Sequence, residues 1–507
     1  MGTYNYQVRR CIIKGSFGVK MKVYLLNAPF IKNFVRCGRW QGVSARGKTL
    51  YYPIWLTYAT GYLEKKGHDV RLVDAIAFEW DLQRVLEDVS EFNPDLVVVD
   101  SNFSSLKNDI NIANQIKEKT GAVNVIVGPP ASQFPNKIIE DGIDIVARFE
   151  FEESLNEIAI SLESGGDIEE VKGITFRKDN EIITNPDRDF TTSKFLDELP
   201  FISEVYKKHL NIKNYFLSHS LYPVVQIFTG RGCPNYCTFC SWPETLMGRK
   251  YRVRSVKNVV DEFEYIKNEL PEVKEVFIED DSFTIDKNRI VKFCDELIDR
   301  DINIVWSCQS RADLDYPTMN KMKEAGCRLL DVGYESGNNE ILVNIKKGTT
   351  IEQLMEFTIN AKKARLKILA DFVIGFPGET KETAQETAKF IKEVKPDLLQ
   401  VAVATPMPGT EFYKYCANND FILNKDMGKS IDSRGFQRCV ISYPSLNNDE
   451  ISFYVDKVLK EYYISFAYAK VAFGNITGKN GLYEFKSLIT SAKMYLKYMG
   501  NNKNDIG

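Results

Sequence analysis

Histidine is nearly absent from this chain. The three residues His68, His209 and His219, in a chain of 507, are too few for a histidine-based metal centre. Neither sign of charge dominates: 66 Lys and Arg stand against 69 Asp and Glu, for a net charge of -3, which excludes the basic bias of a duplex-binding protein. Missing too is any apolar run of the roughly 18 residues that would span a bilayer. The opening MGTYNYQVRRCIIKGSFGVK has no long apolar core of the kind an export signal needs. Internal repeats and low-complexity tracts are absent as well. Ten cysteines are present, but outside one cluster they are scattered singly, which reads as reduced thiols in the cytoplasm and not as a disulfide framework. What remains is a multidomain globular chain, too long for one core.

What is there is strand–helix alternation. Residues 1–20 read as an extension ahead of Met21. From there, apolar runs at 22–29, 69–75, 95–101, 124–130 and 144–150 alternate with amphipathic stretches such as 55–67 and 106–121. That pitch predicts an α/β, doubly wound, Rossmann-like domain over 21–170. Ligands of such sheets sit beyond the strand C-termini, here 27–29, 100–105 and 128–132. A hairpin with Asp179-Asn180 at its turn and a linker fill 171–215. Six further strands, at 224–230, 275–283, 303–310, 329–336, 369–376 and 398–406, predict a (β/α)6 partial TIM barrel over 216–430. Its polar residues gather at the strand C-termini, where such barrels carry their chemistry. Residues 431–507 form a helical C-terminal region rich in Tyr, Phe and Lys.

The cysteine cluster lies in RGCPNYCTFCSWP, with Cys233, Cys237 and Cys240 spaced Cys-x3-Cys-x2-Cys just after the first barrel strand. Structural zinc wants four closed ligands, and a ferredoxin-like cluster wants four cysteines; the next cysteine, Cys294, is 54 residues on. The residues leave open a zinc site, a ferredoxin-like cluster, cysteines without a metal, and a [4Fe–4S] cluster held by three thiolates with one iron left open.

The motif, the aromatic Phe239 before its last cysteine and the six βα units resemble the radical S-adenosylmethionine (AdoMet, SAM) superfamily over about 220–430. The resemblance implies that AdoMet is the missing fourth ligand, that an electron from the cluster cleaves it to a 5′-deoxyadenosyl radical, and that an external donor of flavodoxin or ferredoxin type supplies that electron. It implies AdoMet contacts from Phe239, from Glu279 and Asp280 at the second strand end, from Ser307, Gln309 and Arg311 at the third, from Glu335 in GYESG and from Ile374 in VIGFPGE. The second strand end lacks the Gly-Gly-Glu form common in the family.

The preceding α/β domain resembles the cobalamin-binding module of the B12-dependent subclass, in segments 51–75, 94–110 and 124–155. This implies a cobalamin near Ser101, Asn102, Gly128 and Pro129. No DxHxxG motif occurs, so cobalt would carry no protein histidine. The stretch 237–255 is locally similar to radical SAM proteins of hopanoid cyclitol biosynthesis, which points to a lipid among candidate small-molecule substrates. Its Arg249, Lys250, Arg252 and Arg254 read as a solvated face or an anion contact. Segments 453–474 and 488–500 suit helices packed on the barrel, or interfacial helices touching the inner face of a membrane.

The implied function is a cobalamin-dependent radical SAM enzyme that functionalises an unactivated carbon by methylation, C–C bond formation or rearrangement. Competing readings are a non-methylating radical SAM enzyme with a scaffold-only first domain, a methylthiotransferase-like enzyme, and a non-catalytic metal or redox sensor. Nucleic acid is not an expected partner.

Overall fold

The computed structural model describes residues 20–38, 42–44, 49–281 and 283–476; all but the last residue of the 1–20 extension and the whole 488–500 segment lie outside them. Two parallel sheets organise the chain. The first has seven strands: β1 (Lys22–Asn27), β2 (Asp69–Asp74), β3 (Leu96–Asp100), β4 (Val123–Val127), β5 (Ile145–Ala147), β6 (Ile174–Lys178) and β7 (Glu181–Thr184), in the order β2-β1-β3-β4-β5-β6-β7. The first five are parallel. Their apolar residues run without alternation because both faces are covered. Val23 and Leu25 enter the core shared with α1 (Ile54–Lys65), while Tyr24 and Leu26 enter the core formed with α2 (Leu82–Phe92) and α3 (Leu106–Thr120). The order reverses between β1 and β3, and a doubly wound sheet opens a crevice at that point. The β6–β7 hairpin joins the far edge antiparallel. Its turn residues Asp179 and Asn180 both have positive φ, 48° and 68°, as a type I′ turn requires.

The second sheet is β8 (Val224–Ile227), β9 (Glu275–Ile278), β10 (Trp306–Ser310), β11 (Cys327–Glu335), β12 (Lys367–Ile374) and β13 (Leu398–Val403), all parallel and in sequence order. Helices α4 (Val256–Glu269), α5 (Ile351–Lys363) and α6 (Lys381–Val394) cover its outside. Six strands leave two open edges, and unpaired edges invite association. Tyrosines occupy both. On β8, the Tyr52 hydroxyl donates to Val224 O (2.9 Å), that of Tyr206 to Gln226 O (3.1 Å), and that of Tyr58 accepts from Phe228 N (3.1 Å). On β13, the Tyr463 hydroxyl bridges Leu399 N and O, and the Gln437 amide pairs with Val403 N and O. Within the C-terminal region helix starts at Asn448, with α7 (Asn448–Tyr463) and α8 (Phe466–Ile476). Among the described residues no helix is long and apolar enough to cross a membrane.

Candidate functional site

The C-terminal ends of the two sheets face each other. The Ser132 hydroxyl, beyond β4, donates to Thr245 O (2.6 Å) and the Gln133 amide to Glu244 O (3.3 Å), both just past the cysteine loop. Phe103, Phe134, Met407 and Met427 close the same seam.

The cysteine loop leaves β8 through Gly232, whose φ of +95° suits glycine and where a Cβ would fall on Lys250 O. Backbone bonds then pin it: Cys233 N to Gly248 O (3.2 Å), Thr238 N to Ile345 O (3.0 Å) and Phe412 N to Thr238 O (2.9 Å). Cys233, Cys237 and Cys240 are half-buried, and none of the nine described cysteines is in a disulfide. Burial, then Asp281, Cys233 and Cys237, pushes the Cys240 thiol up, so the three sulfurs share one field. Among the described residues no three Cys, His, Asp or Glu stand close enough together to hold a single metal ion. Zinc with Zn–S bonds of about 2.3 Å needs its thiolates in near contact, whereas the corners of a four-iron cluster take them further apart. The donor set of three thiolates and no histidine therefore fits an iron–sulfur cluster.

Around the loop, Phe239 is buried against Phe376 (ring centroids 4.9 Å). Glu279 accepts from Gln226 Nε2 (2.8 Å) and Gln309 Nε2 (3.5 Å). The Arg311 guanidinium donates to Lys347 O (2.7 Å). Glu335 meets Lys347 at 2.7 Å with Oε2 unpartnered, and Ile374 O accepts from Ala404 N (2.8 Å). Two of the expected contacts are engaged elsewhere. Asp280 takes Thr229 N and Oγ1 (both 2.6 Å) and the Tyr251 hydroxyl (2.7 Å), bracing the strand end. The Ser307 hydroxyl bonds Glu275 at the start of β9, where Arg328 also pairs (2.8 Å). That places Ser307 toward the far end of the barrel from the cysteines.

At the other sheet, Ser101 Oγ donates to Asp109 (2.9 Å), and Asn102 Nδ2 to Arg36 O (2.8 Å). Arg36 and Asp109 form a buried pair at 2.6 Å. These residues tie the loop after β1 over the crevice. Burial raises the Asp100 carboxyl beneath them to about 7. Pro129 is buried behind Gly128. Gly128 has φ 96° and ψ -178°, a region open essentially to glycine alone, and a Cβ would strike Ser101 O. Gly128→Ala is expected to cost about 1–3 kcal/mol, read from its urea midpoint. His68 meets Asn156 (3.2 Å), away from this crevice.

Sequence reasoning missed two features. Arg231, two residues before Cys233 and 1% exposed, lies between the rings of Trp55 (4.8 Å) and Tyr58 (4.9 Å) and pairs with Glu152 (2.7 Å) and Glu150 (3.3 Å) of the first domain. The reading of the basic run 249–254 holds for the exposed Lys250 and is corrected at two positions, while Arg249 is half-buried against Glu244: Arg252 pairs with Glu150 (2.6 Å) and Arg254 with Glu262 (2.5 Å), all four buried. They are internal ion pairs, neither a solvated face nor an anion contact. Second, Glu379 braces the turn after β12 by accepting from Gly375 N (2.5 Å) and Phe376 N (3.1 Å). Burial raises its carboxyl from 4.5 to about 7. Its stabilising contribution is therefore complete below pH 4.5 and lost as pH rises through about 7. Glu379→Gln should flatten that part of the stability–pH curve, measured by chemical unfolding across pH 4–8.

Comparison with known proteins agrees with this arrangement. The Radical SAM superfamily matches residues 227–391 and the B12 binding domain residues 41–159. An uncharacterised methyltransferase of Pyrococcus horikoshii is 30% identical over 420 residues, 82% of this chain and 87% of that protein. An anaerobic magnesium-protoporphyrin IX monomethyl ester cyclase of Rubrivivax gelatinosus is 27% identical over 71% of this chain and 66% of its own length. The radical S-adenosylmethionine methyltransferase TsrM of Kitasatospora setae, solved with cobalamin and a [4Fe–4S] cluster, superposes with TM-score 0.70 at 18% identity, over 94% of this chain and 99% of that one. A hopanoid C-3 methylase of Methylococcus capsulatus also matches, at 26% identity over 71% of this chain and 67% of that protein, so the hopanoid likeness is one among several. The chain belongs to the radical SAM superfamily, in the group with a B12-binding domain, and is an enzyme of that class whose cofactors are a [4Fe–4S] cluster, S-adenosylmethionine and cobalamin.

Proposed function

We propose that Cys233, Cys237 and Cys240 hold the cluster, that AdoMet lies between their loop and the ends of β9–β12, and that cobalamin lies in the crevice at Ser101, Asn102, Gly128 and Pro129. When bound, the cluster supplies the electron that splits AdoMet, and cobalamin supplies a methyl carrier. The chain's residues do the rest. Phe239 and Phe376 form an apolar wall that excludes water. Glu279, Gln309, Arg311 and Glu335 offer acceptors and donors for an ammonium, a ribose diol and a carboxylate. Asp280 braces the strand end beside this wall through Thr229 and Tyr251, while Ser307, bonded to Glu275, braces the opposite end of the barrel.

The observation that carries the reading is the meeting of both strand-end faces at one seam, with Ser132 bonded to Thr245. The reaction is functionalisation of an unactivated carbon of a small molecule or lipid, by methylation or, as the relationship to a cyclase favours, by C–C bond formation. The enzyme works in the cytoplasm and draws electrons from a flavodoxin or ferredoxin. Anaerobically reconstituted protein given reduced flavodoxin should form 5′-deoxyadenosine from AdoMet. A full iron load with no such product would overturn the reading.

A lipid substrate would bring the protein to a membrane face, and α7–α8 suit that. Phe453, Ile464 and Phe466 are exposed at 58%, 69% and 77%, beside Lys457 and Lys470. Flotation with anionic liposomes should carry the protein upward; protein left at the bottom would remove the membrane contact.

A further inference from the structure

The cysteine loop carries a side-chain donor of its own. Asn235 stands two residues past Cys233, in the spacer Pro234-Asn235-Tyr236 that separates Cys233 from Cys237. Its Nδ2 donates to Cys233 Sγ at 3.3 Å. The chemistry fixes which way the amide points, because Nδ2 donates to a sulfur whereas Oδ1 would repel a thiolate. Asn235 is half-buried between two exposed neighbours, Pro234 and Tyr236, so its side chain turns back onto the loop while theirs face solvent.

The spacer is held for this contact. Arg249 donates through Nη1 to Asn235 O and through Nη2 to Glu244 Oε1, and its guanidinium lies over the Tyr236 ring, 4.8 Å from the centroid. A planar fork that takes a carbonyl, a carboxylate and a ring face together is a task for arginine and not for lysine. Glu244 is tied in turn to the first domain, its carbonyl accepting from Gln133 Nε2 (3.3 Å). Pro234 fixes one backbone dihedral between Cys233 and Asn235. The clamp thus sets the backbone of Asn235 and leaves the side chain little more than its own rotamers in which to find the sulfur. A backbone N–H would be supplied by almost any residue, but this donor depends on which residue stands at 235.

Hydrogen bonds to the sulfurs are among the features that set the potential of an iron–sulfur cluster. One-electron reduction adds negative charge that the thiolates share, and an N–H aimed at a thiolate favours the more negative form. We propose that Asn235, clamped by Arg249, tunes the cluster: its side-chain amide hydrogen-bonds the Cys233 thiolate and raises the potential at which the cluster takes its electron. The donor of flavodoxin or ferredoxin type is oxidised by that one electron, the cluster is reduced by it, and no bond to the protein forms or breaks. The inference rests on the reading of Cys233, Cys237 and Cys240 as the cluster's ligands, and adds a residue that governs ease of reduction and not possession of iron.

A redox titration of anaerobically reconstituted protein without AdoMet, followed by electron paramagnetic resonance, reads the effect. Asn235→Leu keeps the bulk and removes the donor. Its cluster should be about tenfold harder to reduce, a midpoint about 59 mV more negative for a one-electron couple, with iron per chain unchanged. A purely structural role would lower the iron content and leave the midpoint of the remaining clusters in place. A second measurement needs no variant and decides even where the leucine protein takes up no iron. In unaltered protein labelled with heavy nitrogen in asparagine side chains alone, pulsed resonance of the reduced cluster should show a nitrogen coupling across the hydrogen bond. An unchanged midpoint in iron-loaded Asn235→Leu, or no such coupling in the labelled protein, would overturn the proposal. Failure of the underlying reading looks different: unaltered protein that takes up no iron and gives no cluster signal.

Discussion

Alanine at Cys233, Cys237 or Cys240 is expected to reduce iron from about four atoms per chain to less than one and to bring 5′-deoxyadenosine formation below detection. In the proposed site three thiolates hold the cluster, so losing one leaves two of four irons without a protein ligand. The fold should survive. The three cysteines are half-buried, and the loop is held by its backbone, through Gly248, Ile345 and Phe412, not by the sulfurs. Unchanged far-ultraviolet circular dichroism with lost iron is the expected pair of readings. A single alanine variant that keeps its iron and cleaves AdoMet would contradict the assignment of that cysteine.

The second large effect concerns Arg231. Its guanidinium is 1% exposed, stacked between Trp55 and Tyr58, and shared by Glu150 and Glu152. Arg252 also serves Glu150, but Arg231 provides the one ion pair described for Glu152. Arg231→Met keeps the bulk and removes the charge. It leaves a buried carboxylate uncompensated, which costs about 3–5 kcal/mol. Lysine should recover little, because an ammonium cannot fork to two carboxylates and stack between two rings. The urea midpoint of the methionine variant should fall accordingly. Iron retention should fall with it, since Arg231 also sets the start of the cysteine loop. An unchanged midpoint would mean that the ion pairs add nothing to the union of the two domains.

Much of this architecture is legible in the chain. Strands β1, β3, β11 and β12 appear as apolar runs because both faces of a parallel sheet are covered, and the spacing of Cys233, Cys237 and Cys240 is specific enough to carry the resemblance to the family. Less legible is how a polar residue near a strand end is used. Ser307 and Gln309 are two apart on β10 and both face inward, yet one bonds Glu275 below and the other Glu279 above; only the register of β9 against β10 separates them. Arg252 and Arg254 look solvated in a run of basic residues, but their carboxylates, Glu150 and Glu262, come from 102 and 8 residues away. The register of β11 against β12 shifts between Gly333 and Glu335 and turns the Glu335 carboxylate over Gly333; this leaves no composition signal beyond a glycine two residues earlier.

The most direct test of the whole account is the metal content of the protein purified anaerobically with hydroxocobalamin present. About four irons and about one cobalt per chain are predicted, with both cofactors seated at the one seam. Iron without cobalt would contradict the cobalamin crevice and reduce the first domain to a scaffold. A colourless protein with neither metal would contradict the radical chemistry itself and favour a non-catalytic thiol sensor.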